Sequence, residues 1–175
     1  MPNFSEDYDA VGFDADHCLV KYDVGEVTRL IIKGGLEDLH EYCGYPEEIM
    51  DFDLNEESEE IQACLNYGVF DIDRGLLIKL GEGKEVLAAL KGRRVLTQEE
   101  IEDIYGSPVP RFEAMDWPNL HSFPETQGAN YWTFATYFDA CKAPQVLMAV
   151  ELIDAGKVDK TYHALSRDMR WTIIR

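Results

Sequence analysis

Three Asp-x-Asp pairs are the residues best spaced to do chemistry together: Asp14 with Asp16, Asp51 with Asp53, and Asp71 with Asp73. Two carboxylates so spaced can divide the work of phosphoryl transfer if the backbone turns both into one pocket, one attacking phosphorus and the other handling protons. Only the first pair has a setting for this. It ends the apolar run Ala10-Val11-Gly12-Phe13, which reads as a buried strand opening into a site, and leads on into Cys18-Leu19-Val20. Asp51 lies in an acidic stretch and Asp71 in a predicted hairpin turn. In this reading Asp14 is the nucleophile and becomes an aspartyl-phosphate, while Asp16 protonates the leaving oxygen and then takes a proton from the water that opens the acyl-phosphate. Magnesium prefers octahedral oxygen ligands, and the Asp14 carboxylate with the Asp16 backbone carbonyl would supply two of them. The plainer reading is that the pair caps a turn, the usual role of Asp-x-Asp in an arbitrary chain.

The elements that would position these residues follow from periodicity. Val27, Leu30, Ile31, Leu36 and Leu39 repeat at helical spacing and predict a helix over Val24 to Tyr42, weakened in the middle by Gly34-Gly35. Asp51 to Glu60 is acidic and reads as a loop or the start of a helix running to Leu65. Short apolar runs at Val69-Phe70, Leu76 to Leu80 and Val86 to Leu90 predict an antiparallel meander. Thr97-Gln98-Glu99-Glu100 is a capping box for a helix through Tyr105, stopped by Gly106. Pro108 to Pro124 predicts an ordered loop, Pro144 the first position of a helix that ends at Gly156, and Tyr162 to Arg175 a last helix.

The 175 residues suit a single ordinary domain, and 46% hydrophobic against 29% charged residues is enough to build a core. A net charge of −18 and the lack of a concentrated basic face argue against a nucleic-acid partner, while a small phosphorylated metabolite stays compatible if a cation supplies local positive charge. Cys18, Cys43, Cys64 and Cys141 form no CxxC pair and no signal segment opens the chain, so a reduced, cytoplasmic protein is expected. No apolar stretch approaches the roughly 20 residues of a membrane span. Calcium-loop spacing fails at the sixth-position glycine of every Asp-x-Asp segment, and His17, His40, His121 and His163 do not combine with the cysteines at zinc spacing.

The string Val11-Gly12-Phe13-Asp14-Ala15-Asp16-His17-Cys18-Leu19 resembles the first motif of the haloacid dehalogenase superfamily, and within it the cytosolic purine 5'-nucleotidase-like family, which reads Gly-Phe-Asp-x-Asp-His/Tyr-Thr-Leu. Cys18 stands where threonine is usual. A second block, Tyr67-Gly68-Val69-Phe70-Asp71 through Gly75 to Leu80 with Val95-Leu96-Thr97, resembles the family's hairpin segment, and Tyr137-Phe138-Asp139 a third. The resemblance implies an α/β fold: an incomplete haloacid-dehalogenase-like Rossmannoid core carrying a β-hairpin meander and a mostly helical cap. It places the amino-terminal part of the core in residues 1–104 and a partial cap insertion in residues 105–175. It also implies Mg2+ dependence and hydrolysis of a phosphomonoester, with nucleoside monophosphates as substrates. Asp14 matches the nucleophile, Asp16 the acid/base, and both match metal ligands; Phe138 falls where purine-cleaving members stack an aromatic on the base, although Ala135 replaces a polar residue beside it.

The superfamily also uses a serine or threonine ending a second strand, a lysine that holds phosphate, and a later acidic pair. Thr97 reads better as a helix cap, and Lys142, Lys157 and Lys160 have no strand pattern nearby. The expectation is therefore the amino-terminal part of a longer family member, lacking parts of the charge stabilisation that drives phosphoryl transfer. The rival is a non-catalytic pseudo-phosphatase fragment acting through protein contacts, with Trp117, Phe123, Tyr131 and Trp132 as its surface, although ordinary packing in the cap is the favoured reading of these aromatics.

Overall fold

The computed structural model describes residues 12–15, 18–53, 68–113, 130–134 and 136–174. Helix α1 spans Val24–Cys43, as its periodicity predicts. Asp23 caps its first turn by accepting from the Glu26 backbone N–H at 3.2 Å, and Gly44 ends it in the left-handed region at φ 74°. The glycine pair does not break it. A Cβ on Gly35 would lie 1.9 Å from Gln145 Nε2, so the missing side chain is the notch that admits Gln145. Ile32, Leu36 and Leu39 form the buried stripe around that notch. A single 3₁₀ turn, Glu47–Met50, follows.

The predicted meander forms β1 (Val69–Asp71), β2 (Leu76–Leu80) and β3 (Val86–Lys91), all antiparallel. Two strands join it that periodicity does not announce, β4 (Arg94–Val95) and β5 (Tyr131–Thr133), giving the order β4-β3-β2-β1-β5. Phe70, Leu77, Leu90 and Trp132 face one core, while Val69, Ile78, Ala89 and Tyr131 face a second. Both faces of the central strands are thus covered, which is why Leu76-Leu77-Ile78 is continuously apolar rather than alternating. Tyr131 and Trp132 are 6% and 1% exposed and so pack rather than offer a contact surface, because pairing with Asp71 and Phe70 pulls both rings into the cores. Trp117 and Phe123 lie outside the described residues.

Helix α2 (Gln98–Tyr105) opens with the predicted capping box, Thr97 and Glu100 each accepting from the other's backbone N–H. Helix α3 (Tyr137–Ala140) is one turn, and α4 (Ala143–Asp154) is apolar on nearly all sides and sits in the centre of the first core. Pro144 is the second residue of α4, and Gly156 lies just past its end at φ 68°. Helix α5 (Tyr162–Ile174) packs on α1 and α4. Elements from both sides of residue 104 share one sheet and one core.

The buried strand expected from Ala10 to Phe13 is corrected over its described part. Residues 12–14 carry no regular structure, and Phe13 is 72% exposed. A strand exists by pairing its backbone groups, and this segment is not part of the five-stranded sheet. Ala10 and Val11 lie outside the described residues, as does the predicted helix between Leu54 and Leu65.

Candidate functional site

Asp14 sits in an exposed loop that leads into the amino-terminal end of α1. The loop folds back at once: the Ala15 carbonyl accepts from the backbone N–H groups of Leu19 at 3.1 Å and Val20 at 2.9 Å. Phe13, Leu19 and Val20 are each at least half exposed around it, so the carboxylate is presented on a solvent-facing apolar tip rather than inside a pocket. Asp16 and His17 lie outside the described residues. Cys18, which follows them, is exposed and its thiol is not in a disulfide.

Phe138 is placed on α3, whose start is fixed by a second capping box in which Thr136 and Asp139 exchange side-chain and backbone hydrogen bonds at 3.1 and 3.2 Å. Its ring is half exposed at the edge of a groove of about 510 Å³ between α1 and α3, bordered also by Leu30, Asp38, Glu41 and Lys142. Asp14 is not among the described residues lining that groove.

Two charged residues that sequence reasoning set aside are buried. Asp71, discounted as a turn residue, ends β1 at 1% exposure, and its Oδ2 accepts from Tyr105 Oη at 2.8 Å and from the Arg74 guanidinium at 2.9 Å. Burial and the Asp71 charge push the Tyr105 hydroxyl well above the usual tyrosine range, and the Arg74 guanidinium lies 5.4 Å over the Tyr105 ring. This knot ties the β1–β2 turn to α2. The signal for it was that Asp71 continues a fully apolar strand, where an acid needs partners. Lys142, passed over for want of a strand, caps α4 at 6% exposure with Nζ 3.4 Å from the Met169 carbonyl and 5.8 Å from the Trp132 ring. Burial pulls its pKa down to about 8, against the opposing pull of Asp139, Cys141 and Asp38.

A second groove, of about 600 Å³, gathers Arg74, Lys91 and Arg94. Each cation already faces a carboxylate, Asp71, Asp154 and Glu100 respectively, so little positive charge is left for an anion. Among the described residues no group of three or more His, Cys, Asp or Glu is arranged to hold a metal ion. Asp14 offers hard carboxylate oxygens of the kind magnesium takes, and Asp16 lies outside the described residues. No helix among the described residues is long and apolar enough to cross a membrane.

Comparison with known proteins bears on the whole length of this arrangement. A human 5'-nucleotidase domain-containing protein 1 is 28% identical over 150 residues, covering 83% of this chain and 30% of its own length. The bovine protein of the same name is 28% identical over 151 residues, covering 84% and 30%. A 5'-nucleotidase domain-containing protein of Dictyostelium discoideum is 34% identical over 104 residues, covering 58% and 17%. The chain thus spans less than a third of the length of these relatives. Residues 5–174, from the loop that presents Asp14 through the knot at Asp71 to the last turn of α5, match the 5' nucleotidase family, and the chain belongs to that family.

Proposed function

We propose that this chain carries the nucleophile segment of a 5'-nucleotidase-type phosphomonoester hydrolase acting on a nucleoside monophosphate, with Asp14 as the attacking carboxylate. The observation that carries the proposal is a solvent-accessible Asp14 in the first-motif loop of a chain matched to the 5' nucleotidase family over residues 5–174. An Asp14 oxygen forms a bond to phosphorus as the bond from phosphorus to the nucleoside 5'-oxygen breaks. Asp16 gives its proton to that leaving oxygen, then takes one from the water that hydrolyses the aspartyl-phosphate, so nucleoside and inorganic phosphate are the products. Magnesium is the cation proposed, because carboxylate and carbonyl oxygens at Asp14 and Asp16 are the donors it prefers; when bound it would offset the repulsion between carboxylate and phosphate.

The haloacid-dehalogenase-like core in residues 1–104 and the cap in residues 105–175 belong to the same proposal and rest on the resemblance. So does Phe138 as the residue that faces the base. Glu37, Asp38 and Glu41 line the groove beside Phe138 and disfavour a phosphate there, which supports placing the phosphoryl group at Asp14. The free thiols of Cys18, Cys43 and Cys141 support a reducing, cytoplasmic setting.

The second reading, a non-catalytic pseudo-phosphatase, is favoured by one observation: no group of three or more His, Cys, Asp or Glu among the described residues is arranged to hold a metal ion. Phosphate release from nucleoside monophosphates with magnesium separates the two. Turnover abolished by Asp14→Asn is expected for the hydrolase, together with trapping of beryllium fluoride by the wild-type chain. Absence of both turnover and the trapped adduct in the wild type rejects the hydrolase reading for these 175 residues.

A further inference from the structure

The groove beside Phe138 has a polarity that nucleotide chemistry does not use. Along α1 its lining positions are 30, 31, 34, 35, 37, 38 and 41, spread over three turns, a length of about 17 Å at 1.5 Å per residue. The first four are Leu30, Ile31, Gly34 and Gly35; the last three are Glu37, Asp38 and Glu41. The groove therefore runs from an apolar end to an acidic end. Leu30 is 68% exposed and Phe138 49% exposed at its border, a large apolar area to leave in water. The carboxylates are badly placed for α1 itself, because the carboxyl end of a helix is its negative end, and Glu41 lies in the last turn. Lys33 meets Glu37 at 3.6 Å in the weaker order, with the cation ahead of the acid, and Lys142 faces Asp38 from within the core. No ion pair forms at Glu41 among the described residues.

The geometry points to this groove as the docking site for a basic amphipathic helical segment of a partner protein, its apolar residues seated against Leu30, Ile31 and Phe138 and its lysines or arginines against Glu37, Asp38 and Glu41. The occupant follows from charge complementarity: a short apolar trough continued by three acids on one helix face fits an apolar anchor followed by cations. A net charge of −18 disfavours a second copy of this chain in the same place and favours approach of a cationic segment. The inference does not depend on Asp14, which does not line the groove, but it competes with the base-facing role of Phe138, and displacement of the segment by a nucleoside monophosphate tells the two apart.

The test is titration of the full chain, by calorimetry, with a synthetic Leu/Lys amphipathic helical peptide, a scrambled peptide of the same composition and a Leu/Glu counterpart. Saturable one-to-one binding of the Leu/Lys peptide alone is expected. Leu30→Glu, at an exposed position that leaves the circular dichroism spectrum unchanged, should weaken it by about tenfold or more. The combined Glu37→Gln, Asp38→Asn and Glu41→Gln chain should weaken it and flatten its salt dependence, whereas Glu99→Gln with Asp103→Asn on the exposed side of α2 should not. Equal binding of the scrambled peptide, indifference to Leu30→Glu, or an equal loss from the α2 substitutions overturns the proposal. So does displacement of the peptide by a nucleoside monophosphate, or a dimer in sedimentation that Leu30→Glu dissolves, since these assign the groove to a nucleotide or to a second copy.

Discussion

The Asp71 carboxylate holds Tyr105 and Arg74 at 2.8 and 2.9 Å from one oxygen, so the β1–β2 turn and α2 are anchored to the same atom. Asp71→Asn keeps the shape but removes the charge. It is expected to lower unfolding stability by about 1–3 kcal/mol, read as an earlier urea midpoint at unchanged slope. Arg74 is half exposed and screened, so most of that loss belongs to the Tyr105 hydroxyl. Lys142 sets a pH dependence of definite sign. Its pKa falls from 10.5 to about 8 on folding, so below pH 8 both states are protonated and the folded one bears the cost of a buried ammonium. As pH rises from about 8 towards 10.5 the folded state sheds its proton first, and stability increases. Buried Cys141 and Tyr45 act the other way at the alkaline end, because folding keeps their protons on. The difference between wild type and Lys142→Met isolates the lysine. The variant should be more stable at pH 7 by on the order of 3 kcal/mol, with the gap closing by pH 10 in thermal unfolding. Asp14 stands out in the sequence as a candidate because a carboxylate ends an apolar run there. Asp71 does not, because its partners lie on a turn and on a helix that nothing in the local sequence ties to it.

At the scale of elements, the notch at Gly35 sets how closely α1 and α4 approach. Gly35→Ala drives a methyl into the Gln145 amide, which itself donates to the Ile31 carbonyl at 3.3 Å, and the helices must part. The expected cost is about 1–3 kcal/mol, the range for overpacking a closed core. Adding Gln145→Ala should return much of it, since Gln145 Oε1 is buried without a partner and little is lost with it; a double-mutant cycle from denaturant unfolding measures the coupling. Additive losses in that cycle would show that Gly35 serves α1 alone. The helix that sequence periodicity weakened at Gly34-Gly35 is thus one that packing holds together there. Helix α2 was legible in full, because its capping box is local and lies within four residues. Strand β5 was not, since three residues inside an aromatic stretch become a strand only by pairing with β1.

Across the whole molecule, 34 acidic residues against 16 basic ones make self-repulsion a standing cost of the folded state. The ion pairs at Arg93–Glu151, Arg94–Glu100 and Lys157–Glu48 are exposed and contribute little. Raising sodium chloride from a few millimolar to about 0.5 M should therefore raise the melting temperature, because screening relieves repulsion more than it weakens these pairs. A fall in melting temperature would mean that the surface pairs outweigh the net charge. The same excess of acid that argues against nucleic acid in the sequence becomes, on α1, a groove with an acidic end.

The sequence by itself determined the family, the nucleophile candidate, the meander, and the helices whose caps and apolar periods are local, because each depends on residues within a few turns of one another. Tertiary structure decided that Asp14 rides on an exposed loop, that Phe138 borders a groove along α1, and that Asp71 and Lys142 are buried. Burial and partnership are properties of surfaces brought together from distant parts of the chain, and a spacing of two residues between carboxylates carries no record of them.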